Sequence, residues 1–211
     1  MIWLASWPRS GNTFLRTILW NCFAMKSGSV YPNDLGGDRN LARVIGHVEH
    51  DEMDKGAFRA GDPPILKTHE PPKNSDPAIF IIRDGRPACV SLWKFYERQF
   101  PMSVIVEGRH RFNSWANHFK SWNPINRPNT LLLRYEDMVS DVNGVIDNLA
   151  NHLNRQPMTY DLPSRDRVAE ITGHHVNKRY DWREFLVDSD LDKFWETNGD
   201  VMKLTYGKTR Q

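Results

Sequence analysis

Residues 3–19 read WLASWPRSGNTFLRTIL, and this stretch contains the change of pattern that decides the fold. A short apolar run stops at Pro8, and small and polar residues follow it. Apolar residues then recur at helical spacing at Leu15, Ile18, Leu19, Cys22 and Phe23. A strand, a polar turn and a helix in this order present free N–H groups and the positive helix end at the turn, where anions bind. The stretch therefore predicts an anion site, and it is equally consistent with an ordinary turn in which Ser10 or Asn12 caps the helix.

Three further short apolar runs lie at residues 65–66, 78–82 and 131–133, and each has the length of a buried strand. Helical periodicities at residues 112–122 and 142–153 stand between or after these runs. Strands that alternate with helices predict a three-layer α/β fold with a central, mainly parallel sheet flanked by helices. The polar segment 26–64 has no clear period, so we expect it to be irregular with at most one short helix. We expect residues 1–211 to form a single domain.

Composition narrows the class of partner. The formal charge is +2, and no run of like charges stands out, so we expect a small anion rather than a nucleic acid. The sequence contains neither a signal-peptide pattern nor an apolar run of about 18 residues, which predicts a cytoplasmic protein without a membrane partner. Cys22 and Cys89 are the two cysteines, and their helical settings favour buried thiols over a disulfide or a metal site.

The opening loop differs from the nucleotide P-loop, GxxxxGK[ST]. It lacks the first glycine, and its basic residue, Arg9, precedes Gly11 instead of following it. A P-loop kinase would also need a carboxylate for Mg²⁺, and no clear candidate is present. The Thr13 hydroxyl is placed to face an anion, and Phe14 to cover a flat ring. A nucleotide kinase and a catalytically inactive nucleotide-binding protein both remain open as alternative functions of this chain.

Residues 78–96, AIFIIRDGRPACVSLWKFY, form a second candidate anion-binding segment. A buried strand ends at Arg83, a helix is predicted to begin near Pro87, and Ser91 follows eight residues after the arginine. A guanidinium at a strand end and a hydroxyl in the first turns of the next helix can hold one phosphate together. The alternative is a salt bridge from Arg83 to Asp84 or Glu97.

Residues 63–72, PPILKTHEPP, supply a candidate general base. His69 has the residue type whose unperturbed pKa, about 6.5, suits proton transfer near neutrality, although a lone histidine is more often structural. Lys67 stands two residues earlier and would face the same side of an extended segment. Glu70 is the second candidate for the base.

Taken together, SWPRSGNTF, LKTHEP, IIRDGRPACVSLWKFY and the pair SWANHFKSW and NTLLLRYEDM resemble, in order and spacing, the cytosolic sulfotransferase family. A weaker similarity occurs at DWREFL near the end of the chain. The resemblance implies a P-loop-nucleotide-hydrolase-like sulfotransferase fold. It also implies in-line transfer of a sulfuryl group from 3′-phosphoadenosine 5′-phosphosulfate (PAPS) to a hydroxyl or amine of a small acceptor. The nucleotide product would be 3′-phosphoadenosine 5′-phosphate (PAP), and no metal would be required.

Position by position, the resemblance also implies roles for individual residues. His69 would be the general base, with Lys67 and Arg9 as the other catalytic residues. The donor would be bound by Arg9, Ser10, Gly11, Asn12, Thr13, Phe14, Arg83, Ser91 and Tyr135. The chain departs from the family where Arg9 replaces a lysine and Phe14 a tryptophan. Residues 173–182, GHHVNKRYDW, occupy the place of the family's Arg-Lys-Gly loop, where Lys178 and Arg179 would substitute.

Acceptor identity stays open between phenols, alcohols, sugars and amines. The aromatic residues Phe112, Trp115, Phe119 and Trp122 have a helical spacing that is more typical of a core than of a substrate wall. His118, between them, is the one candidate there for an acceptor contact. Segments 26–64 and 99–111 are expected to line the pocket, because loops on a rigid scaffold carry specificity.

Overall fold

The structure is a computed structural model that describes residues 1–54, 57–172 and 181–210. This part of the chain contains a sheet of five strands: β1 (Ile2–Ser6), β2 (Ser27–Ser29), β3 (Ile65–Thr68), β4 (Ala78–Ile82) and β5 (Thr130–Arg134). Their order is β2-β3-β1-β4-β5, and every neighbouring pair is parallel. The predicted α/β class with a mainly parallel sheet is confirmed.

Nine α-helices and one 3₁₀ turn, at Trp182–Glu184, accompany the sheet in the described residues. The helices are α1 (Asn12–Phe23), α2 (Arg39–Val44), α3 (Gly85–Phe95), α4 (Met102–Val106), α5 (Trp115–Trp122), α6 (Tyr135–Ser140), α7 (Val142–Leu153), α8 (Arg165–Thr172) and α9 (Asp188–Tyr206). None of them is long and apolar enough to cross a membrane.

Two apolar cores lie on opposite faces of the sheet, because successive side chains of a strand point to opposite sides. Phe80 packs with residues of α3, α4, α5 and α9, whereas its neighbours Ile79 and Ile81 pack with residues of α1, α6 and α7. Cys22 and Cys89 are buried free thiols, one in each core, as predicted. The three layers of the predicted fold are therefore helices, sheet and helices.

The position of the site follows from this topology. Helix α1, which follows the central strand β1, packs on one face of the sheet, whereas α3, which follows the neighbouring strand β4, packs on the other. The two strand-to-helix connections therefore diverge and leave a crevice at the carboxyl ends of β1 and β4. Crevices of this kind are where open α/β sheets bind ligands.

Several element boundaries differ from the sequence prediction. Strand β2 has the sequence SGS and lies in segment 26–64, where no strand was expected, whereas the short helix α2 agrees with the expectation for that segment. Helix α3 begins at Gly85 rather than near Pro87, because the Asp84 side chain caps it by accepting from the Arg86 amide. Helix α4 lies inside segment 99–111, and α9 was not predicted. A polar strand such as β2 and a short helix such as α4 carry little periodic signal, so contacts with the rest of the fold decide where they form.

Candidate active site

The connection between β1 and α1 is a strained, uncapped turn. Arg9 has φ 64° and Gly11 has φ 110°, so both lie in the left-handed region that favours glycine. Gly11 is the N-cap residue, and no side chain caps the helix. The expectation that Ser10 or Asn12 caps it is wrong, because the Asn12 amide donates to the Ser6 hydroxyl at 2.6 Å instead. The first N–H groups of α1 are therefore left to a partner other than a side-chain cap.

Two buried polar atoms lie in the same turn. The Ser10 hydroxyl and the Asn12 side-chain oxygen make no hydrogen bond within the described residues. Buried polar atoms are seldom left without a partner, because their desolvation then goes uncompensated. The Tyr135 ring closes one side of the turn, and a Cβ added to Gly11 would lie 2.6 Å from the Tyr135 Cδ2 atom. A residue without a side chain is therefore required at position 11.

Two arginines meet beside this turn. The Arg83 guanidinium donates to the Arg9 carbonyl at 2.9 Å, and the Arg9 Nε donates to the Ser91 hydroxyl at 3.3 Å. The structure thus brings Arg9, Arg83 and Ser91 together from three elements. The alternative ion pair from Arg83 to Asp84 is absent among the described residues, where Asp84 pairs with Arg86 at 2.7 Å and with Lys208 at 2.9 Å.

The charge of this arginine pair is not neutralised by the protein that the structure describes. No carboxylate of residues 1–54, 57–172 or 181–210 forms an ion pair with either arginine. Desolvation by the surrounding protein is the largest cause that lowers the pKa of Arg9, and the positive charge of Arg83 lowers it further. The Arg83 Nε atom is buried and has no hydrogen-bond partner within the described part of the chain. Such a cationic pair at a helix N-terminus is suited to a multiply charged anion.

Tyr135, a predicted adenine contact, lies against Arg83, and Phe14 packs against the same core as Tyr135. The Arg83 guanidinium lies 4.7 Å from the centroid of the Tyr135 ring, where α6 begins. Phe14 is half-buried in the first turn of α1 and packs with Tyr135 against the same core. Thr13 is exposed at the start of the helix. Lys178 and Arg179, which were predicted to complete the donor site, lie outside the described residues.

His69 follows directly after β3, and its ring is held by β1. The Nδ1 atom lies 2.7 Å from the Ser6 carbonyl oxygen, which can only accept, so Nδ1 carries the hydrogen. The Nε2 atom therefore has the lone pair that a general base needs. Burial, and then the charge of Lys67, lower the pKa of His69 to about 3, so the ring is neutral at pH 7.

The loop after β2 packs against His69. The Tyr31 hydroxyl accepts from the His69 backbone amide at 3.0 Å, and its ring stacks on the imidazole with a centroid distance of 5.9 Å. Phe112 contacts the imidazole edge to face, at 5.6 Å between centroids, and its ring lies 6.4 Å from that of Tyr31. Tyr31, Phe112 and His69 thus form one cluster of three mutually contacting rings.

Glu70, the second candidate for the base, is engaged elsewhere. Its carboxylate accepts from the Tyr31 hydroxyl at 3.2 Å and pairs with Arg111 at 2.7 Å. Tyr31 and Arg111 come from the two segments that were expected to line the acceptor pocket, and both lie beside the predicted base.

Lys67 belongs to a buried charge cluster. Its ammonium pairs with one oxygen of the Asp34 carboxylate, whose other oxygen is 2.9 Å from Arg16. Arg16 also donates to the Ser27 hydroxyl at 2.8 Å, and His47 lies 2.5 Å from it. The three charged side chains are all nearly buried, with exposed fractions of 11% for Lys67, 6% for Asp34 and 2% for Arg16.

The four aromatic residues between positions 112 and 122 lie in two places, three in the core and one beside the predicted base. Trp115, Phe119 and Trp122 are buried in one core, as predicted, whereas Phe112 precedes the helix and lies beside His69. His118 is buried against Phe80 with a centroid distance of 5.6 Å, and burial lowers its pKa to about 3. Its role as an acceptor contact stays a prediction.

Four residues at this site were missed by the sequence analysis. They are Ser6, Arg16, Tyr31 and Asp34. Arg16 carried a signal, because it is a charged residue among the apolar positions of a buried helix and a buried arginine requires an acceptor. Ser6, Tyr31 and Asp34 had none, because strand pairing and loop packing decide their contacts.

One protein family matches most of this chain. A family model described as the sulfotransferase domain matches residues 1–179. The chain belongs to the sulfotransferase domain family. The family resemblance seen in its motifs is therefore confirmed.

Curated sulfotransferases are distant relatives of this chain. Sulfotransferase 1E1 of Cavia porcellus is 27% identical in an alignment of length 194 that covers 81% of this chain and 62% of that protein. Sulfotransferase 4A1 of Mus musculus is 22% identical in an alignment of length 172 that covers 72% of this chain and 59% of that protein. The chain thus spans about 60% of the length of these relatives.

Solved sulfotransferase-fold structures are similar over nearly the whole chain. Mouse sulfotransferase SULT7A1 complexed with PAP has a TM-score of 0.61 at 18% identity, covering 98% of this chain and 84% of that one. Retinol dehydratase in a complex with retinol and PAP has a TM-score of 0.63 at 16% identity, covering 96% and 81%. At these identities the similarity shows the fold, and the predicted sulfotransferase fold is confirmed.

Proposed function

We propose that this sulfotransferase-family protein transfers a sulfuryl group from PAPS to a hydroxyl or amine of a small-molecule acceptor, with His69 as general base. The observation that carries the proposal is the arginine pair beside the uncapped turn. Arg9 and Arg83 meet there without a carboxylate partner among the described residues, next to the buried, unpartnered Ser10 hydroxyl. A ligand with several negative charges satisfies these groups together.

The residues of the two diverging connections fit such a donor. The N-terminus of α1 with Arg9, Ser10 and Thr13 would bind the 5′-phosphosulfate, together with Gly11 and Asn12. Arg83 and Ser91 would bind the 3′-phosphate, and Phe14 and Tyr135 would contact the adenine. The solved structures of this fold that are titled as PAP complexes support a nucleotide with this pattern of phosphates.

PAPS, as substrate, supplies the sulfuryl group. In the transfer, the bond from acceptor oxygen or nitrogen to sulfur forms, and the bond from sulfur to the bridging oxygen of PAP breaks. The acceptor's proton passes to Nε2 of His69, while Lys67 and Arg9 stabilise the negative charge that grows on the transferred group and its leaving oxygen. The negative charges of the donor would raise the pKa of His69 from its low value without ligand, which makes the ring a better base in the complex.

The remaining parts of the proposal concern setting. We propose that the chain acts as one domain in the cytoplasm on a small molecule, with neither nucleic acid nor membrane as partner. No metal is assigned a role, and we expect transfer to continue in EDTA. An EDTA-sensitive reaction restored by Mg²⁺ would contradict this and would favour the nucleotide-kinase alternative.

Thermal unfolding with a panel of nucleotides tests the donor class. At 100 times its Kd, PAP is expected to add about 2.7 kcal/mol to the free energy of unfolding. AMP, ADP and ATP with Mg²⁺ at the same concentration should give smaller shifts. Equal stabilisation by AMP would exclude a 3′-phosphate site.

Transfer from labelled PAPS to a panel of phenols, alcohols and amines tests the reaction itself. Labelled product and released PAP should appear in equal amounts. Tight binding of PAP with no transfer to any acceptor and no hydrolysis of PAPS would indicate a catalytically inactive binding protein.

A further inference from the structure

The loop that follows β2 contacts the functional end of β3 at two points. β2 and β3 pair with Ser29 opposite Lys67, and the Val30 amide donates to the Lys67 carbonyl at 3.0 Å. This pairing places Tyr31 on the backbone of His69 and Asp34 on the ammonium of Lys67. Lys67 in β3 and His69 directly after it, both predicted catalytic residues, are thus held by one loop that follows the neighbouring strand.

The charges around Lys67 require a counter-ion. Burial is the largest cause that lowers the pKa of Lys67. The charges of Arg16 from α1 and Arg9 from the opening turn lower it further. The neutral rings of Tyr31 and His69 also face the lysine, with the ammonium 5.1 Å from the Tyr31 centroid. Within the described residues, Asp34 is the one carboxylate that pairs with Lys67, and it acts in the opposite direction by raising its pKa.

The outer groups of the cluster do not replace Asp34. His47 contacts Arg16, and burial followed by the Arg16 charge lowers its pKa, so it is neutral at pH 7. Glu49 lies 3.5 Å from His47 and is 43% exposed at the rim. Among the carboxylates that the structure describes, Asp34 alone therefore bridges the two buried cations.

We propose that Asp34 is the positioning residue of Lys67: its buried carboxylate keeps the ammonium charged and directs it toward the transferring group. This inference rests on the proposed function for its effect on catalysis. Asp34 touches neither donor nor acceptor in this proposal and acts only through the lysine. A purely structural role, in which Asp34 serves Arg16, is the competing interpretation.

The catalytic test compares turnover of the wild type, Asp34→Asn, Lys67→Met and the double variant across pH 6 to 9. Without the carboxylate, the pKa of Lys67 falls, and a lysine is charged only below its pKa. Asp34→Asn should therefore lose at least about tenfold in turnover at pH 7.5, as expected for the loss of one charged donor. The ratio of wild-type to variant turnover should also grow as pH rises, by up to about tenfold per unit. A ratio that is constant with pH would overturn the proposal.

The double variant distinguishes the two partners of Asp34. If Asp34 acts through Lys67, Asp34→Asn should change turnover by less than about twofold in the Lys67→Met background. Fully additive losses would overturn the proposal. Glu49→Gln is the matched control, because it removes a carboxylate from the rim of the same cluster, and its pH profile should equal that of the wild type.

Folding supplies a readout if Asp34→Asn alone does not fold. The double variant should then fold, because it no longer buries an unpaired ammonium, while Arg16 keeps the hydroxyl and carbonyl oxygens of Ser27 as acceptors. Failure of both variants to fold would assign Asp34 to Arg16 and overturn the proposal.

A measurement without PAPS separates this proposal from the proposed function. Pulsed acetylation of Lys67 by acetic anhydride, followed by peptide mass spectrometry over pH 6 to 11, reports the pKa of the lysine. The midpoint should fall in Asp34→Asn, and an unchanged midpoint would overturn the proposal. A lower midpoint in a protein whose wild type neither binds PAP nor transfers sulfuryl would refute the proposed function and leave the Asp34 pairing intact.

Discussion

Two pairs of cations lie at the carboxyl edge of the sheet, and the protein treats their charge in opposite ways. Arg9 and Arg83 contact each other through a backbone carbonyl, and no carboxylate of the described residues pairs with them. Arg16 and Lys67 are buried a short distance away, and they share the two oxygens of Asp34. The first pair lies at the open turn, whereas the second belongs to the interior.

The difference follows from the cost of burying charge. A buried cation without a partner is strongly unfavourable, so the interior pair needs a protein counter-ion in every state of the molecule. A cation near solvent can remain unpaired and keep its charge for a ligand. Arg9 and Arg83, the donor pair, are therefore expected to determine the affinity for the nucleotide. Arg16 and Lys67, the interior pair, are expected to determine the stability of the fold and, through Asp34, the charge of Lys67.

The largest effect is expected where the two regions meet, at His69. The ring is held by Ser6 of β1 and by Tyr31 of the loop after β2. His69→Ala should lower turnover by about 10²–10⁴-fold, because the general base is lost, while PAP affinity stays within about twofold. Turnover with the acceptor panel and PAP titration measure the two quantities.

Glu70→Gln is the matched comparison for His69→Ala. Its carboxylate is already paired with Arg111, so a smaller loss of turnover is expected. A larger loss in Glu70→Gln than in His69→Ala would reverse the assignment of the base.

The interior pair should reveal itself in stability. Arg16→Met leaves Asp34 with one cation in place of two, and it should lower the free energy of unfolding by about 3–5 kcal/mol. Urea unfolding at pH 7 measures the change. Arg109→Met removes an exposed partner of Glu107 and should cost less than about 1 kcal/mol. Equal effects of the two substitutions would mean that burial of the cluster contributes nothing.

The donor pair should reveal itself in affinity. Arg83→Ala should weaken PAP binding by about 1.5–3 kcal/mol through the loss of charge-assisted hydrogen bonds. Binding of AMP, which has no 3′-phosphate, should change much less. If AMP and PAP lose affinity by the same factor, Arg83 does not bind the 3′-phosphate. Arg98→Ala removes a cation that stacks on Trp93, and it is the control that should leave both affinities unchanged.

The smallest effect is a pH dependence of stability that comes from buried histidine. The pKa of His118 falls from 6.5 to about 3 because the ring is buried, so the unfolded chain binds its proton at a higher pH than the folded one. Stability from this group is present above pH 6.5 and is lost as pH falls toward 3, at up to about 1.4 kcal/mol per pH unit. Urea unfolding at pH 7, 6 and 5 should therefore show a shallower slope for His118→Gln than for the wild type. Identical slopes would contradict the neutral, buried state of this ring.

The sequence by itself determined the fold class and the family. Buried strands, the strand-turn-helix at residues 3–19 and the step from Arg83 to Ser91 are all local patterns, because apolar spacing and turn residues act over a few neighbours. Their order along the chain sufficed to predict a parallel α/β fold and the residues at its carboxyl edge.

The tertiary structure alone decided which partners these residues have. Strand β2, with the sequence SGS, shows no apolar pattern, yet its register on β3 brings Asp34 to Lys67. The tautomer of His69 is likewise set by a carbonyl of Ser6, which is 63 positions away in the chain. Contacts of this kind depend on pairing between distant segments, and burial makes them energetically important, because a buried charge without a partner is strongly unfavourable.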